Sequence, residues 1–426
     1  MRNFLFCVLL TLSFNVAAIP MDLTSQGEGT VSDTLPEKAK QSYADGIQAL
    51  TEGKLNQAKA SFEASLKSMP GAYALLGLAE VAFKQDRMSD AQQYIQQAVE
   101  LSPDDPHAQI SLGRLYFTQG RYLEAESAFK KAVQSAPRLG KTYIALGDLY
   151  MMALKKPEQA IISYKMALEI MPEHAGAHYA LGVAYLRSGT NSELAKQELK
   201  HAARLEPKNP LPKQMLARLY AANKQYDRAL DVYSELLQQY PDLASARFGR
   251  GNVYLVQNKL DLAEKEFKAI TRATPGNVEA WMKLGLVYQT QKHFVESEKA
   301  YLTALKLQPD IAIAYNNLAW MSANQKQRLD QSLKWARRAV DLNPDFADFH
   351  DTLGWVYKTR KEYKQAISAF QQANKIRENP QTYYHLGLVY MEKGDKQQAK
   401  NALQKALGMN SDFSEAEEAQ KLLKRL

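Results

Sequence analysis

The chain has 426 residues, 54 Lys and Arg against 46 Asp and Glu for a formal charge of +8, and one cysteine, Cys7. A lone cysteine excludes an intramolecular disulfide framework and a cysteine-based metal centre. Ala, Leu, Lys, Gln and Glu dominate, a composition that favours helices over sheets.

The N-terminus has the layout of a secretory signal. Arg2 supplies positive charge, FLFCVLLTLSF (4–14) a short apolar stretch, and VAA (16–18) small residues for cleavage after Ala18. The apolar run is too short for a comfortable membrane span and is interrupted by Asn15, so no transmembrane helix is expected after cleavage of residues 1–18. Cleavage also removes Cys7, which has no small residues before it and so does not resemble a lipoprotein attachment site. An exported, disulfide-free chain fits a bacterial periplasm or cell surface. Export makes nucleic acid an unsuitable partner. Residues 19–38 are polar and aperiodic, with Gly27, Gly29 and the acids Asp22, Glu28 and Asp33, and read as a disordered lead-in.

From residue 39 to 411 a single pattern recurs. Prolines at Pro36, Pro70, Pro103, Pro137, Pro172, Pro207, Pro241, Pro275, Pro309 and Pro344 are spaced 33 to 35 residues apart. A small residue recurs in each period: Gly46, Ala79, Gly113, Gly147, Gly182, Ala217, Gly251, Gly285, Ala319, Gly354 and Gly387. Tyrosine follows three residues later in most of them, as at Tyr150, Tyr185, Tyr288 and Tyr357. The period and these residues resemble the tetratricopeptide repeat, which places small residues at repeat positions 8, 20 and 27 and large apolar ones at 4, 7, 11 and 24. The resemblance implies an all-α fold: a right-handed α-solenoid of about eleven helix-turn-helix repeats, each closed by a helix-stopping proline.

The departures carry information too. Repeats beginning near Gly140, Ala175 and Ala312 gain a residue between their helices, and Pro380 sits at a helix start instead of closing a repeat. Asp45 and Arg250 replace apolar residues at position 7; Asp45 suits a solvent-facing end, and Arg250 must snorkel or find an acid. Residues 412–426, DFSEAEEAQKLLKRL, place Phe413, Ala416, Ala419, Leu422, Leu423 and Leu426 on one helical stripe. This predicts a capping helix, with Asp412 and Glu415 forming its start.

No catalytic constellation is present: no glycine-rich phosphate loop, no HExxH and no GxSxG. The expectation is a non-enzyme without cofactor or metal. His174 and His178, four residues apart, form the sharpest metal candidate, yet one lies in a loop and the other at a packing position. Neighbouring carboxylates such as Glu264 and Glu266 read as a solvated helix face. The excess of 14 Lys and Arg over 9 Asp and Glu from Lys196 to Arg272 reads likewise, with attraction to an acidic protein, glycan or headgroup as the alternative.

The family resemblance implies that first helices line a concave groove through repeat positions 2, 5, 9, 12 and 13. Carried onto this sequence, the candidate ligand-binding residues are Arg218, Phe248, Asn252, Asn316, Trp320, Asp351, Trp355 and Tyr384. Tyr73, Arg114, Asp148 and Arg187 occupy the same positions nearer the N-terminus. Phe248 and Asn252 match only in part the basic clamp that some family members use for chaperone tails. The single Asn317 at position 6 is not the asparagine ladder of others. Trp320 and Trp355 share position 9 of adjacent repeats, where they either pack between helices or present rings to an apolar peptide side chain or a sugar. The stretches NNLAW (316–320), DTLGW (351–355), YHLGLVY (384–390) and GDKQQA (394–399) are similar to secreted bacterial repeat proteins of exopolysaccharide production and surface-protein sorting. The expected function is a protein-binding envelope scaffold, the alternatives being a binder of exported polysaccharide and, third, an enzyme.

Overall fold

The computed structural model describes residues 37–189 and 191–426. The expected signal segment and the lead-in up to residue 36 lie outside the described residues. Among the described residues there are 23 α-helices and no strand. They come as hairpins: α1 (Glu37–Thr51) with α2 (Leu55–Ser68), α3 (Ala72–Lys84) with α4 (Met88–Leu101), α5 (Pro106–Thr118) with α6 (Tyr122–Ser135), and α7 (Gly140–Met152) with α8 (Pro157–Ile170). Next come α9 (Ala175–Ser188) with α10 (Ser192–Leu205), α11 (Pro210–Ala222) with α12 (Tyr226–Gln239), α13 (Ala244–Val256) with α14 (Leu260–Ala273), and α15 (Val278–Thr290) with α16 (Phe294–Leu307). The last are α17 (Ala312–Asn324) with α18 (Leu329–Leu342), α19 (Ala347–Thr359) with α20 (Tyr363–Ile376), α21 (Pro380–Lys393) with α22 (Lys396–Met409), and the single α23 (Ala416–Arg425). The expected all-α solenoid class is therefore correct. The first helix starts at Glu37, inside the stretch expected to be disordered. The chain divides into two compact units, one ending at Leu219 and one beginning at Tyr220, with the boundary inside α11.

Each hairpin closes around one large side chain. Phe62, Phe129, Tyr164, Phe267, Tyr301 and Phe370 on the second helices are at most 2% exposed. Each lies flat on the small residue of its own first helix. A Cβ added at Gly113, Gly147 or Gly285 would sit 2.4–2.5 Å from the ring of Phe129, Tyr164 or Tyr301. Burying such a ring contributes about 1.5–3 kcal/mol, and only a side chain without Cβ lets the helices come this close. Ala319 is one variation: its second helix has Ala336 fully buried, beside Trp335, 8% exposed. Position 20 is fully buried throughout, as at Ala58, Ala125, Ala263 and Ala399. Where serine stands there, its hydroxyl donates to the carbonyl of the small residue, Ser297 to Gly285 at 2.8 Å and Ser332 to Ala319 at 2.7 Å.

The turn inside each hairpin has at least one left-handed residue. Gly53, Gly120, Gly189 and Gly394 supply it, but Asp86, Lys155, Lys224, Asn258, Lys292, Lys326 and Lys361 adopt the same positive φ (53–64°). Nothing in the sequence marks these lysines as turn residues.

A second rule joins one repeat to the next. The side chain at position 4 of the first helix reaches back six residues and donates to the carbonyl of the closing proline. Gln109 does so to Pro103 (2.6 Å), Tyr143 to Pro137 (3.1 Å), Arg247 to Pro241 (2.8 Å), Trp281 to Pro275 (2.8 Å) and Tyr315 to Pro309 (3.3 Å). The nitrogen Nε2 of His178 and of His350 lies 2.8 Å from the carbonyl oxygens of Pro172 and Pro344 in the same way. Five chemically different side chains share one property, a donor at the right reach, and each satisfies a carbonyl that the end of the preceding helix leaves free.

At the C-terminus, Ala416 and Ala419 of α23 are buried, and Phe413, Leu422, Leu423 and Leu426 pack with them against Tyr384, Leu403 and Ala406. The expected stripe is present, but its expected start is not. The helix begins at Ala416, Glu415 makes no side-chain cap, and Asp412 lies in the turn before it. Pro380 opens α21 behind the Asn379 cap, as its position implied.

Candidate functional site

The first helices of each unit, and the polar groups they carry, form the candidate site. In the first unit most of those groups are already engaged. Arg114 pairs with Glu80 at 3.1 Å, both nearly fully buried, and its guanidinium lies 5.5 Å from the Phe83 ring centre. Arg187 donates to the Met151 carbonyl at 3.0 Å. Asp148 accepts from the Tyr164 hydroxyl at 2.7 Å, and burial pushes its carboxyl up to about 6. Burial likewise raises Tyr73 to about 12, helped by nearby Asp105. Arg114 and Arg187 tie one repeat to another and Asp148 ties the two helices of its own hairpin, and Arg114 in particular is not the open groove residue its position implied. Arg218 is half-buried near Tyr179, whose hydroxyl burial pushes up and Arg218 pulls down.

In the second unit, Phe248 is half-buried, 5.5 Å from Phe267, with the Lys283 ammonium 5.9 Å from its ring centre. Burial lowers the Lys283 ammonium. Asn252, one helical turn beyond Phe248 on α13, is half-buried. Arg250 has found its acid: it donates to Glu266 at 2.6 Å, while Arg247 approaches the other oxygen at 3.4 Å. Glu266 is only 4% exposed. This corrects the solvated-face expectation for Glu266. Glu264 is the outer member of the pair, bound to Lys268 at 2.5 Å and to Gln291 at 3.2 Å.

The two position-9 tryptophans differ. Trp320 on α17 is 39% exposed. Trp355 on α19 is half-buried: its indole nitrogen donates to Asn324 at 2.7 Å, and its ring lies 4.7 Å from His385 and 4.8 Å from the Lys358 ammonium. No ring contact between Trp320 and Trp355 occurs among the described residues. Asn316, one turn before Trp320, is partly buried, and its Oδ1 is buried with no hydrogen-bond partner among the described residues. Asp351 accepts from His385 Nδ1 at 3.1 Å. Tyr384 is a correction: it is 8% exposed, packs 6.2 Å from Phe413 in the cap cluster, and offers no wall to a ligand. The candidate that remains most open is therefore Trp320, while Trp355, Asn324 and Lys358 engage one another.

His174 and His178, the metal candidate weighed from the sequence, do not converge. His174 Nδ1 accepts from the Ala177 amide at 3.0 Å and caps α9. His178 turns the other way, toward α10. Sequence reading missed its neighbours there, although an acid and a histidine three residues apart on α10 were a signal available to it.

Among the described residues, no helix is long and apolar enough to cross a membrane.

Models of the tetratricopeptide repeat match residues 43–106, 84–140, 215–278 and 282–347, and again 347–380 and 380–413, with a further repeat model at 147–189. The chain is 28% identical over 206 residues to the human protein O-mannosyl-transferase TMTC1, a match covering 47% of this chain and 23% of that protein. It is 22% identical over 225 residues to the anaphase-promoting complex subunit CDC16 of Saccharomyces cerevisiae, covering 51% and 26%. The chain thus spans about a quarter of the length of these curated relatives. Among solved structures, yeast Tom70 aligns over 91% of this chain and 95% of its own, at 13% identity and a TM-score of 0.44. With family models matched along most of its length, and with small residues, buried rings and closing prolines in register from hairpin to hairpin, the chain belongs to the tetratricopeptide repeat family.

Proposed function

We propose that the protein is a non-catalytic scaffold of the bacterial envelope that holds a protein partner against the first-helix face of its second unit. Interaction scaffolding is the coarse function that the repeats support. The observation that carries the finer reading is Trp320. It is a large apolar side chain left 39% exposed on a first helix, one turn from the unpartnered Asn316 Oδ1. An exposed indole on a first helix suits an apolar peptide side chain. The apolar segment at residues 4–14 and the small residues at 16–18 support export, and the similarity of residues 316–399 to secreted repeat proteins supports envelope or surface-structure assembly. The mannosyl-transferase relative matches over a quarter of its length, and its activity is not carried over.

The test is in-cell crosslinking and capture with tagged full-length protein, beside Trp320→Ala. One protein held by wild type and lost from the variant supports the reading. Equal capture by both removes Trp320 from it. Quenching of tryptophan fluorescence by soluble exported polysaccharide, with no protein captured, would replace the partner with a glycan.

A further inference from the structure

We propose a transition-metal site in the first unit, formed by His178 of α9 with Glu198 and His201 of α10. The ligand atoms of the three side chains all lie within 4.8 Å of one another. They come from the two helices of a single hairpin, and the His178 and His201 rings meet nearly edge to face, at 5.2 Å and 78°.

Which nitrogen of His178 carries hydrogen decides what the cluster can bind. Its Nε2 lies 2.8 Å from the Pro172 carbonyl oxygen, which only accepts. At the same position of other repeats, Gln109, Tyr143, Trp281 and Tyr315 all present a donor to the corresponding proline carbonyl. Nε2 of His178 therefore bears the hydrogen, and the neutral ring has its lone pair on Nδ1. That lone pair points at Glu198 Oε2 from 2.6 Å. Two acceptors at this distance need a cation between them. A proton would make an imidazolium–carboxylate pair. A metal ion uses the same two lone pairs and adds His201, which the ion pair does not need.

The arrangement is how metal-binding histidines are built: one ring nitrogen on the metal, the other fixed by donation to a backbone carbonyl. His178 is 8% exposed, so its orientation is held by packing. His201 is exposed and Glu198 partly so. Bonds of about 2.0–2.1 Å in a tetrahedral site set ligand atoms about 3.4 Å apart, so the partly exposed Glu198 must draw back from its 2.6 Å contact with His178 while the exposed His201 swings in. Two imidazoles and one carboxylate select Zn²⁺, Ni²⁺ or Cu²⁺ over Mg²⁺ or Ca²⁺. Three protein ligands leave a position open to solvent on the His201 side, where a side chain from outside could complete the set. Bound metal would also clip α9, α10 and the Pro172 turn together.

The test is calorimetric titration of Zn²⁺ into chelator-stripped full-length protein, with visible absorption of the Co²⁺ form as an independent reading. Wild type is expected to bind one Zn²⁺, and Co²⁺ to give the intense bands of a four-coordinate site. His201→Ala changes an exposed residue and should leave helicity unchanged while weakening binding at least tenfold. His350→Ala changes a histidine with the same proline contact, and should leave binding intact. No uptake by wild type at 100-fold molar excess would overturn the site, as would equal binding by wild type and His201→Ala.

Discussion

Replacing Gly285 with alanine tests the packing rule at one of its tight contacts. The new Cβ would stand 2.5, 2.6 and 2.8 Å from three ring carbons of Tyr301. Tyr301 is fully buried, and its hydroxyl donates to Gln289 at 3.0 Å and accepts from Asn317 at 3.1 Å. The ring must move by nearly an ångström to reach ordinary contact, and neither its burial nor its hydrogen bonds leave it room. Overpacking of this kind costs about 1–3 kcal/mol, and weakening the hydroxyl bonds adds about 0.5–1.5 kcal/mol. Alanine returns about 1 kcal/mol through helix propensity. The net is a loss of about 2 kcal/mol, or roughly 30-fold faster opening of α15 and α16 in native-state hydrogen exchange. Gly408, in α22, is the control, because a Cβ there meets nothing within 4 Å. Gly408→Ala should gain up to about 1 kcal/mol. Urea unfolding of the two full-length variants, followed by circular dichroism, should move in opposite directions. If Gly285→Ala is as stable as wild type and its exchange unchanged, the close approach of ring and glycine does not set the helix spacing.

Two further perturbations read other parts of the fold. The Asp148 carboxyl, raised by burial from 3.8 to about 6, binds its proton more tightly in the folded chain than in the unfolded one. Its contribution is thus fully present below about pH 4 and lost as pH rises through 6, an amount on the order of 3 kcal/mol; Asp148→Asn should show no such loss, and unfolding curves of both at pH 4 and pH 7 decide it. Lys292 holds a φ of 64° in the turn where other repeats have glycine, so Lys292→Gly should raise the urea midpoint by the equivalent of about 0.5–1 kcal/mol, and a lower midpoint would mean that the lysine makes a compensating contact.

The repeat was legible because its requirements are local and recur. A small residue every period, a tyrosine three residues on and a proline at the end need no knowledge of neighbours, and eleven copies make the pattern hard to miss. What was not legible depended on partners distant in sequence. Tyr384 occupies a groove position by register, yet it belongs to the last hairpin, where α23 covers it. Glu266 looked like half of a solvated pair, yet Arg250 departs from the pattern 16 residues earlier and draws it inward. Trp320 and Trp355 have the same register and different fates, because Asn324 and His385 engage only the second. The lysines at the hairpin turns were invisible for another reason: left-handed backbone costs a lysine only about 1–2 kcal/mol, which a stack of packed helices absorbs.

The position-4 rule points to where a repeat protein can acquire chemistry without unfolding. In the repeats where this contact forms, the residue gives a hydrogen to the proline carbonyl. Tyrosine and tryptophan meet the demand and have no lone pair left suited to a metal. Histidine meets it with Nε2 and keeps Nδ1 free for other work. At His350 no metal-ligating group gathers around that second nitrogen among the described residues. At His178 a carboxylate stands 2.6 Å away and a second imidazole beside it. The two roles of His178 are therefore separable by His178→Tyr, which places at this position a side chain that already reaches the proline carbonyl at Tyr143 and Tyr315. The variant should keep the wild-type urea midpoint within about 1 kcal/mol, the worth of one neutral hydrogen bond, and lose Zn²⁺ binding altogether. A variant that unfolds early would show that the fold needs the contact between His178 and Glu198, and one that still binds Zn²⁺ as tightly as wild type would place the metal elsewhere.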